Sequence, residues 1–232
     1  MLHFLELPEG TPIFERLQLE EALLRTDERS VCIAHFGSPR SIVMGISGDP
    51  EQLLHRDAVQ QEKVPVIRRF SGGGTVIVDE KTLFVTLIFS AKDLPIALFP
   101  EPILRWGVEL YQKAWKMPDL LLRENDYCLQ ERKCGGNAQY IRKERWLLHT
   151  SFLWDYEEKN MNLLKIPGKQ PVYRQGRAHQ DFLCRLQSHS GHWQERIHEL
   201  RTELSRRFQV VDFESSNTNN SEHRKTTHIL HL

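Results

Sequence analysis

The chain has 232 residues, with 31 Lys+Arg balanced by 31 Asp+Glu. With 40% hydrophobic and 27% charged residues it has an ordinary globular composition, and its zero net charge argues against a nucleic acid held by a bulk basic field. No apolar run approaches the roughly 20 residues that span a bilayer, and residues 1–6 lack the basic and long apolar parts of a secretory signal, so no membrane association is expected.

Thr11 and Pro12 predict a helix start, with Ile13, Leu17 and Leu24 at helical spacing behind them. Residues 31–36 and 42–46 predict short strands joined by the turn Gly37, Ser38, Pro39, Arg40. Asp49 followed by Gln52 predicts a capped helix. Residues 64–69 predict a strand ending in two arginines, and residues 75–79 and 83–89 two further strands rich in β-branched side chains. Residues 102–117 predict a helix with Ile103, Trp106, Leu110 and Ala114 on one face. Strands over 127–130 and 146–153 flank Gly135 and Gly136, and Ile197, Leu200, Leu204 and Phe208 mark a last amphipathic helix. The chain is polar from Glu214, which predicts one folded unit over residues 1–213, a flexible tail over 214–232 and no accessory domain after it. Strands in the middle and helices at the ends favour an α+β fold with a mixed, mostly antiparallel sheet flanked by helices. Cys32, Cys128, Cys134 and Cys184 form no C-x-x-C pair, which fits a reducing, cytoplasmic setting better than a disulfide framework or a structural zinc.

Three segments carry chemistry. The first is Arg68, Arg69, Phe70, Ser71, Gly72, Gly73, Gly74, Thr75. Consecutive glycines between strands weaken a sheet unless a backbone must come close to something, and their bare N–H groups can surround an anion or a flat apolar chain. The two arginines add charge suited to phosphate or carboxylate. A glycine-rich hairpin with exposed arginines is the plain alternative. No Gly-Lys-Ser/Thr follows and the spacing is not G-x-G-x-x-G, so the segment is neither a P-loop nor a dinucleotide fingerprint. The second segment is Asn125 and Asp126, then Lys133, Cys134, Gly135, Gly136, Asn137, Ala138, Gln139. A lysine beside exposed backbone can hold phosphate as a point charge, and Asn137 offers both donors and acceptors. Alone, this run also reads as a surface turn. The third segment is His149, Thr150, Ser151 in an apolar strand, where a lone histidine is often structural. His189, His192, His198, His223, His228 and His231 lack a ligand set and are read as surface residues.

In this order the three segments resemble the lipoate–protein ligase A family of the biotin/lipoate protein ligase superfamily, in its short plant and chlamydial-type branch. The resemblance covers roughly residues 10–190. Its Arg-Arg-x-Ser/Thr-Gly-Gly-Gly loop matches residues 68–74, its Asn-Asp pair matches Asn125 and Asp126, and its Lys-x-x-Gly-x-Ala-Gln run matches residues 133–139. Two departures stand out: Thr150 where a Gly follows the His, and Val78 where a His often precedes Asp79. The resemblance implies a single catalytic domain like those of class II aminoacyl-tRNA synthetases and biotin ligases. It implies ATP-dependent ligation of lipoate, through lipoyl-AMP and with Mg2+, to a lysine of lipoyl carrier domains such as 2-oxoacid dehydrogenase E2 subunits and glycine cleavage H protein. A separate protein would supply what an accessory domain does elsewhere, or the chain completes both half-reactions alone.

Residue by residue, the resemblance implies that Lys133 contacts the acyl carbonyl and α-phosphate in both steps. Arg69, with Arg68 beside it, would hold phosphate or carboxylate. Ser71, Gly72, Gly73, Gly74 and Thr75 would line the acyl cleft, and Asn125 would position the adenylate. Asp126 would hold the metal, Gly135, Gly136, Asn137 and Ala138 would form the nucleotide side, and His149 would line the acyl pocket. The rivals are an octanoyl or lipoyl transferase working through Cys184 or Cys128, and an idle lipoyl- or carrier-binding module.

Overall fold

The computed structural model describes residues 1–189, 191–214 and 225–232. The chain runs β1 (Leu2–Glu6), α1 (Ile13–Thr26), β2 (Ser30–Phe36), β3 (Ser41–Met44), α2 (Pro50–Leu53), α3 (Arg56–Gln61), β4 (Val66–Arg68), β5 (Val76–Val78), β6 (Thr82–Ser90), α4 (Pro100–Trp115), β7 (Leu120–Arg123), β8 (Asp126–Leu129), β9 (Arg132–Arg142), β10 (Arg145–Leu153), α5 (His179–Phe182), α6 (Trp193–Arg207), β11 (Val210–Asp212) and β12 (His228–Leu230). Eight strands form one sheet in the order β11-β1-β2-β6-β10-β9-β8-β7, and four form a second in the order β12-β4-β3-β5. Parallel pairing is confined to β1 with its two neighbours and to β3 with β4. The fold is therefore α+β with mostly antiparallel sheets.

The central strands β6 and β10 read as near-continuous apolar runs because they are covered on both faces. On one face Leu87, Trp146 and Phe152 pack with Ile103 and Leu110 of α4 and Leu200 of α6. On the other, Phe84 packs with Ile13 and Leu17 of α1 and with Val43 and Ile67 of the small sheet. That helix, α1, is thus wedged between the two sheets. Thr11 does not cap it; its hydroxyl turns back to the Pro8 carbonyl at 2.6 Å, and Pro12 occupies the cap position. No helix among the described residues is long and apolar enough to cross a membrane.

Two expectations change. Gly135 and Gly136 do not separate strands but lie inside the 11-residue β9. The chain beyond Glu214 is also not a loose tail throughout, because β12 pairs antiparallel with β4, with His228 opposite Arg68 and Leu230 opposite Val66. Residues 215–224 of that expected tail, His223 among them, lie outside the described residues.

Candidate functional site

The site forms where the loop after β4 lies on β9 and β10. Alternation along β9 turns Gly136 and Ala138 to one face, and the register sets Ser151 and His149 of β10 beside them. Gly135 and Asn137 face the other way. A Cβ on Gly135 would stand 2.9 Å from the Phe152 ring, in the core under α4. Asn137 is a brace: its Nδ2 donates to the Asn125 carbonyl at 2.9 Å, and its Oδ1 accepts from the Thr150 hydroxyl at 2.7 Å. Gly135 and Asn137, expected on the nucleotide side, therefore lie on the face of β9 opposite Gly136 and Ala138, and the unusual Thr150 helps hold Asn137 there.

Simple alternation would send Lys133 away with Gly135. A β-bulge prevents this. Tyr127 pairs with Gly135 but Cys128 already pairs with Lys133, so Cys134 is the extra residue and the faces switch at it. The Lys133 ammonium consequently lies over Gly136, where a Cβ would come within 3.3 Å of Nζ. There it pairs with Asp126 Oδ1 at 2.8 Å. The other carboxylate oxygen accepts from the Tyr173 hydroxyl at 2.8 Å.

The two arginines are bonded to backbone carbonyls. Arg69 is buried, and its guanidinium donates to the Gly72 carbonyl at 3.2 and 2.8 Å and to the Gly74 carbonyl at 2.8 Å. Burial lowers its pKa to about 10, so it stays charged at neutral pH. Arg68 donates to the carbonyls of Ile46 and Gly48, both at 2.8 Å. A run of glycines has no side chains to hold itself, and these guanidiniums tie down backbone carbonyls of the loop and its neighbour. Gly73 needs its glycine: its φ is +106°, and a Cβ there would meet Arg69 Nη2 at 2.7 Å and Ala138 Cα at 3.8 Å. Ser71 is buried and its carbonyl accepts from Ile46 N–H at 3.0 Å, while the Thr75 hydroxyl is buried without a partner.

His149 closes the far end. Its Nδ1 lies 3.0 Å from both carboxylate oxygens of Glu20 and 3.1 Å from the Thr86 hydroxyl. Glu20 is fully buried and also takes Arg16 Nε at 2.7 Å. Burial opposes its ionisation, but the nearby His149, Arg16 and Thr86 outweigh that and hold its pKa at about 2. His35, bonded to Arg16, is pushed to about 2 by burial and then by the Arg16 charge, so it is neutral. Replacing Glu20 with Gln strands the buried Arg16 charge and should lower stability by about 3 kcal/mol at neutral pH. Because the native pKa is depressed, this contribution is complete above about pH 5 and fades as pH falls toward 2. Urea unfolding across that range should show the gap between variant and wild type closing.

One group of residues escaped sequence reasoning. The segment around α5 brings Tyr173, Arg174, Arg177 and His179 to the Lys133 corner. Arg174 and Arg177 stand over the Phe182 ring, at 4.7 and 5.5 Å from its centroid. Burial first, then the charges of Arg174 and Lys133, lower the His179 pKa. A signal was available: residues 165–180 hold Lys165, Lys169, Arg174 and Arg177 with no Asp or Glu, in a chain of zero net charge. A surface cavity of about 990 Å³ shares His179 with this corner.

The cysteines are all buried and free. Cys128 is on the Lys133 face, its thiol 3.4 Å from the Tyr173 hydroxyl, and burial pushes its pKa up to about 12. Its thiolate fraction at neutral pH is on the order of 10³ below that of a free cysteine. Alkylation by iodoacetamide, followed by peptide mass, should find Cys128 unmodified long after glutathione has reacted. The Cys184 thiol lies 3.4 Å from the Arg132 carbonyl and is also buried.

Residues 12–215 match the family described as lipoyl protein ligase A/B catalytic domain. The Inactive lipoate–protein ligase 2 of Plasmodium falciparum is 27% identical over an alignment of 244 positions, gaps included, that covers 79% of this chain and 62% of that protein. The chain thus spans about three fifths of the length of the first curated relatives it matches. A crystal structure of lipoate-protein ligase A bound with ATP has a TM-score of 0.72 at 19% identity, covering 92% of this chain and 86% of that one. The bipartite lipoate protein ligase of Thermoplasma acidophilum, studied with its E2 lipoyl domain, has a TM-score of 0.71 at 19% identity, covering 92% and 85%. These structures share the fold.

Proposed function

The chain belongs to the lipoyl protein ligase A/B catalytic domain family, and we propose that it activates lipoate with ATP as lipoyl-AMP and passes the acyl group to a lysine of a lipoyl carrier domain. One observation carries this reading. The bulge at Cys134 sets the Lys133 ammonium over side-chain-free Gly136, on the same strand against which the pinned glycine loop lies at Ala138. Such a place suits a flat acyl chain with its carboxylate at a fixed cation.

In the first step a lipoate oxygen attacks the α-phosphorus of ATP, pyrophosphate leaves, and the mixed anhydride forms. In the second the carrier amine attacks the acyl carbonyl, loses a proton, and AMP leaves. Charge develops on the phosphoryl oxygens first and on the carbonyl oxygen second. A single ammonium at their junction stabilises both. Lys133 must exchange Asp126 for these oxygens when substrates arrive. The corner of Arg174, Arg177 and His179, whose two guanidiniums also donate to the backbone carbonyls of Arg177, Arg174 and Tyr173, would then add positive charge near the nucleotide phosphates. Asn125, on the turn before Asp126, would contact the nucleotide from the opposite side.

Magnesium fits this corner in one way. Among the described residues no group of three or more His, Cys, Asp or Glu could cage a metal. Asp126 is a hard oxygen donor, and magnesium commonly takes one or two carboxylates plus substrate phosphates. Asp126 would hold it, and the ion would neutralise charge on the triphosphate.

The deciding experiment is mass spectrometry of a purified lipoyl domain incubated with this protein, lipoate, ATP and magnesium, each omitted in turn. Modification that requires all four supports the proposal. Octanoyl transfer from acyl carrier protein without ATP would favour the transferase instead. A relative bearing the name inactive keeps a second reading in play, a module that binds lipoate or carrier without chemistry. Binding by calorimetry with no pyrophosphate released would establish it.

A further inference from the structure

Helix α1 carries two successive glutamates, Glu20 and Glu21, which project about 100° apart around the helix axis. Glu20 reaches the floor of the cleft through His149. Glu21 reaches the opposite sheet. Its carboxylate is buried and accepts from Thr226 N–H at 3.0 and 3.2 Å, from the Thr226 hydroxyl at 2.6 Å and from Thr227 N–H at 3.0 Å. Arg25 pairs with it at 3.0 Å. Burying a carboxylate is costly unless its oxygens are filled, and here donors from a distant part of the chain fill them.

Thr226 and Thr227 lead directly into β12, which forms the outer edge of the small sheet against β4. At its other end Gln60 Nε2 donates to the Leu232 carbonyl at 2.7 Å. Leu230 and Leu232 pack onto the cluster containing Ile42 and Val66. The clamped strand β4 has only three residues and runs straight into Arg69 and the glycines. Strands this short hold position only through their neighbours, and a glycine loop cannot set its own register.

We propose that Glu21 is a positioning residue: through β12 it fixes β4, and with it the glycine loop, over the floor that Glu20 fixes through His149. One turn of α1 would then set the width of the cleft from both sides. A carboxylate serving only to tie down a chain end would stabilise the fold without altering the loop.

The test is Glu21→Gln in the full chain, read by amide hydrogen exchange and by calorimetry with lipoate. Exchange at residues 69–75 should speed up at least tenfold, while β6 and β10 stay protected. Lipoate affinity should fall about tenfold, and Glu21→Asp should recover part of it. Unchanged exchange at 69–75 would overturn the proposal, as would acceleration spread evenly over both sheets. If Glu21→Gln does not fold, Thr226→Val, which removes one donor, carries the same comparison. The affinity arm rests on the lipoate reading, whereas the exchange arm needs no ligand. Wild-type protein that binds no lipoate would therefore sink that reading and leave exchange to decide the clamp.

Discussion

Carrier modification should fall by a factor of about 10³ or more in Lys133→Ala, with the fold intact. The size follows from position. Lys133 is the one cation the bulge delivers over Gly136, and both arginines of the glycine segment are bound to backbone carbonyls. Arg174 and Arg177 of the adjoining corner spend N–H groups on backbone carbonyls, so neither replaces an ammonium seated over Gly136. The fold should tolerate the loss because the Lys133 side chain is partly exposed and the buried Asp126 keeps its bond from Tyr173. Pyrophosphate exchange and transfer from preformed lipoyl-AMP should both collapse, since the ammonium serves both steps. Activity above about a tenth of wild type would remove Lys133 from the mechanism. Lys133→Arg should not restore it, because a planar guanidinium is wider than the gap left by a missing Cβ at Gly136.

What the sequence revealed and what it hid divide along one line. Residues whose placement depends on local pattern were legible. The helix with Ile103, Leu110 and Ala114 on one face is α4, and the apolar runs at 83–89 and 146–153 lie within β6 and β10. Motif order also picked out residues that the fold brings together along β9: Lys133, Asp126, Gly136, Ala138, Gly73 and His149. Features set by distant pairing were not legible. The bulge at Cys134 exists because β8 and β9 pair out of step, and nothing local to residues 132–138 announces it. Without it, the parity of Gly135 and Asn137 relative to Lys133 comes out wrong.

The arginines illustrate a second limit. Residue type alone cannot say whether a guanidinium serves a ligand or a backbone. Arg69 sits beside loop carbonyls that have no other side-chain donor among the described residues, and it is buried there. β12 illustrates a third. Its short stretch after a polar run looks like a tail, and becomes a strand because β4 has an open edge and Glu21 holds its start. The basic segment at 165–180 was visible as charge asymmetry, but its meaning needed the Asp126–Tyr173 bond that lays it beside Lys133.

The glycines around the loop give the second large effect, at a residue outside the motif. Gly45 follows β3 and lies against the loop: a Cβ there would fall 2.2 Å from the Gly73 carbonyl oxygen and 3.4 Å from Arg69 Nη2. Backbone cannot yield as a side-chain tip can. The flanking bonds leave little room, since Arg69 N–H donates to the Met44 carbonyl at 2.9 Å and Ile46 N–H to the Ser71 carbonyl at 3.0 Å. Gly45→Ala must therefore push residues 72–74 off β9 or break this zipper. Overpacking of this kind typically costs 1–3 kcal/mol, so stability should drop by about 2 kcal/mol. Lipoate affinity should drop at least tenfold as the cleft loses its wall. Gly72 and Gly74 make the contrast, because a Cβ at either meets nothing within 4 Å. Gly72→Ala and Gly74→Ala should leave the unfolding midpoint unchanged and register, if anywhere, in the KM for lipoate. Equal destabilisation by all three substitutions would mean that the loop does not rest on Gly45 and β9 as described. Full lipoate affinity in Gly45→Ala would mean that the cleft is walled by something other than this loop.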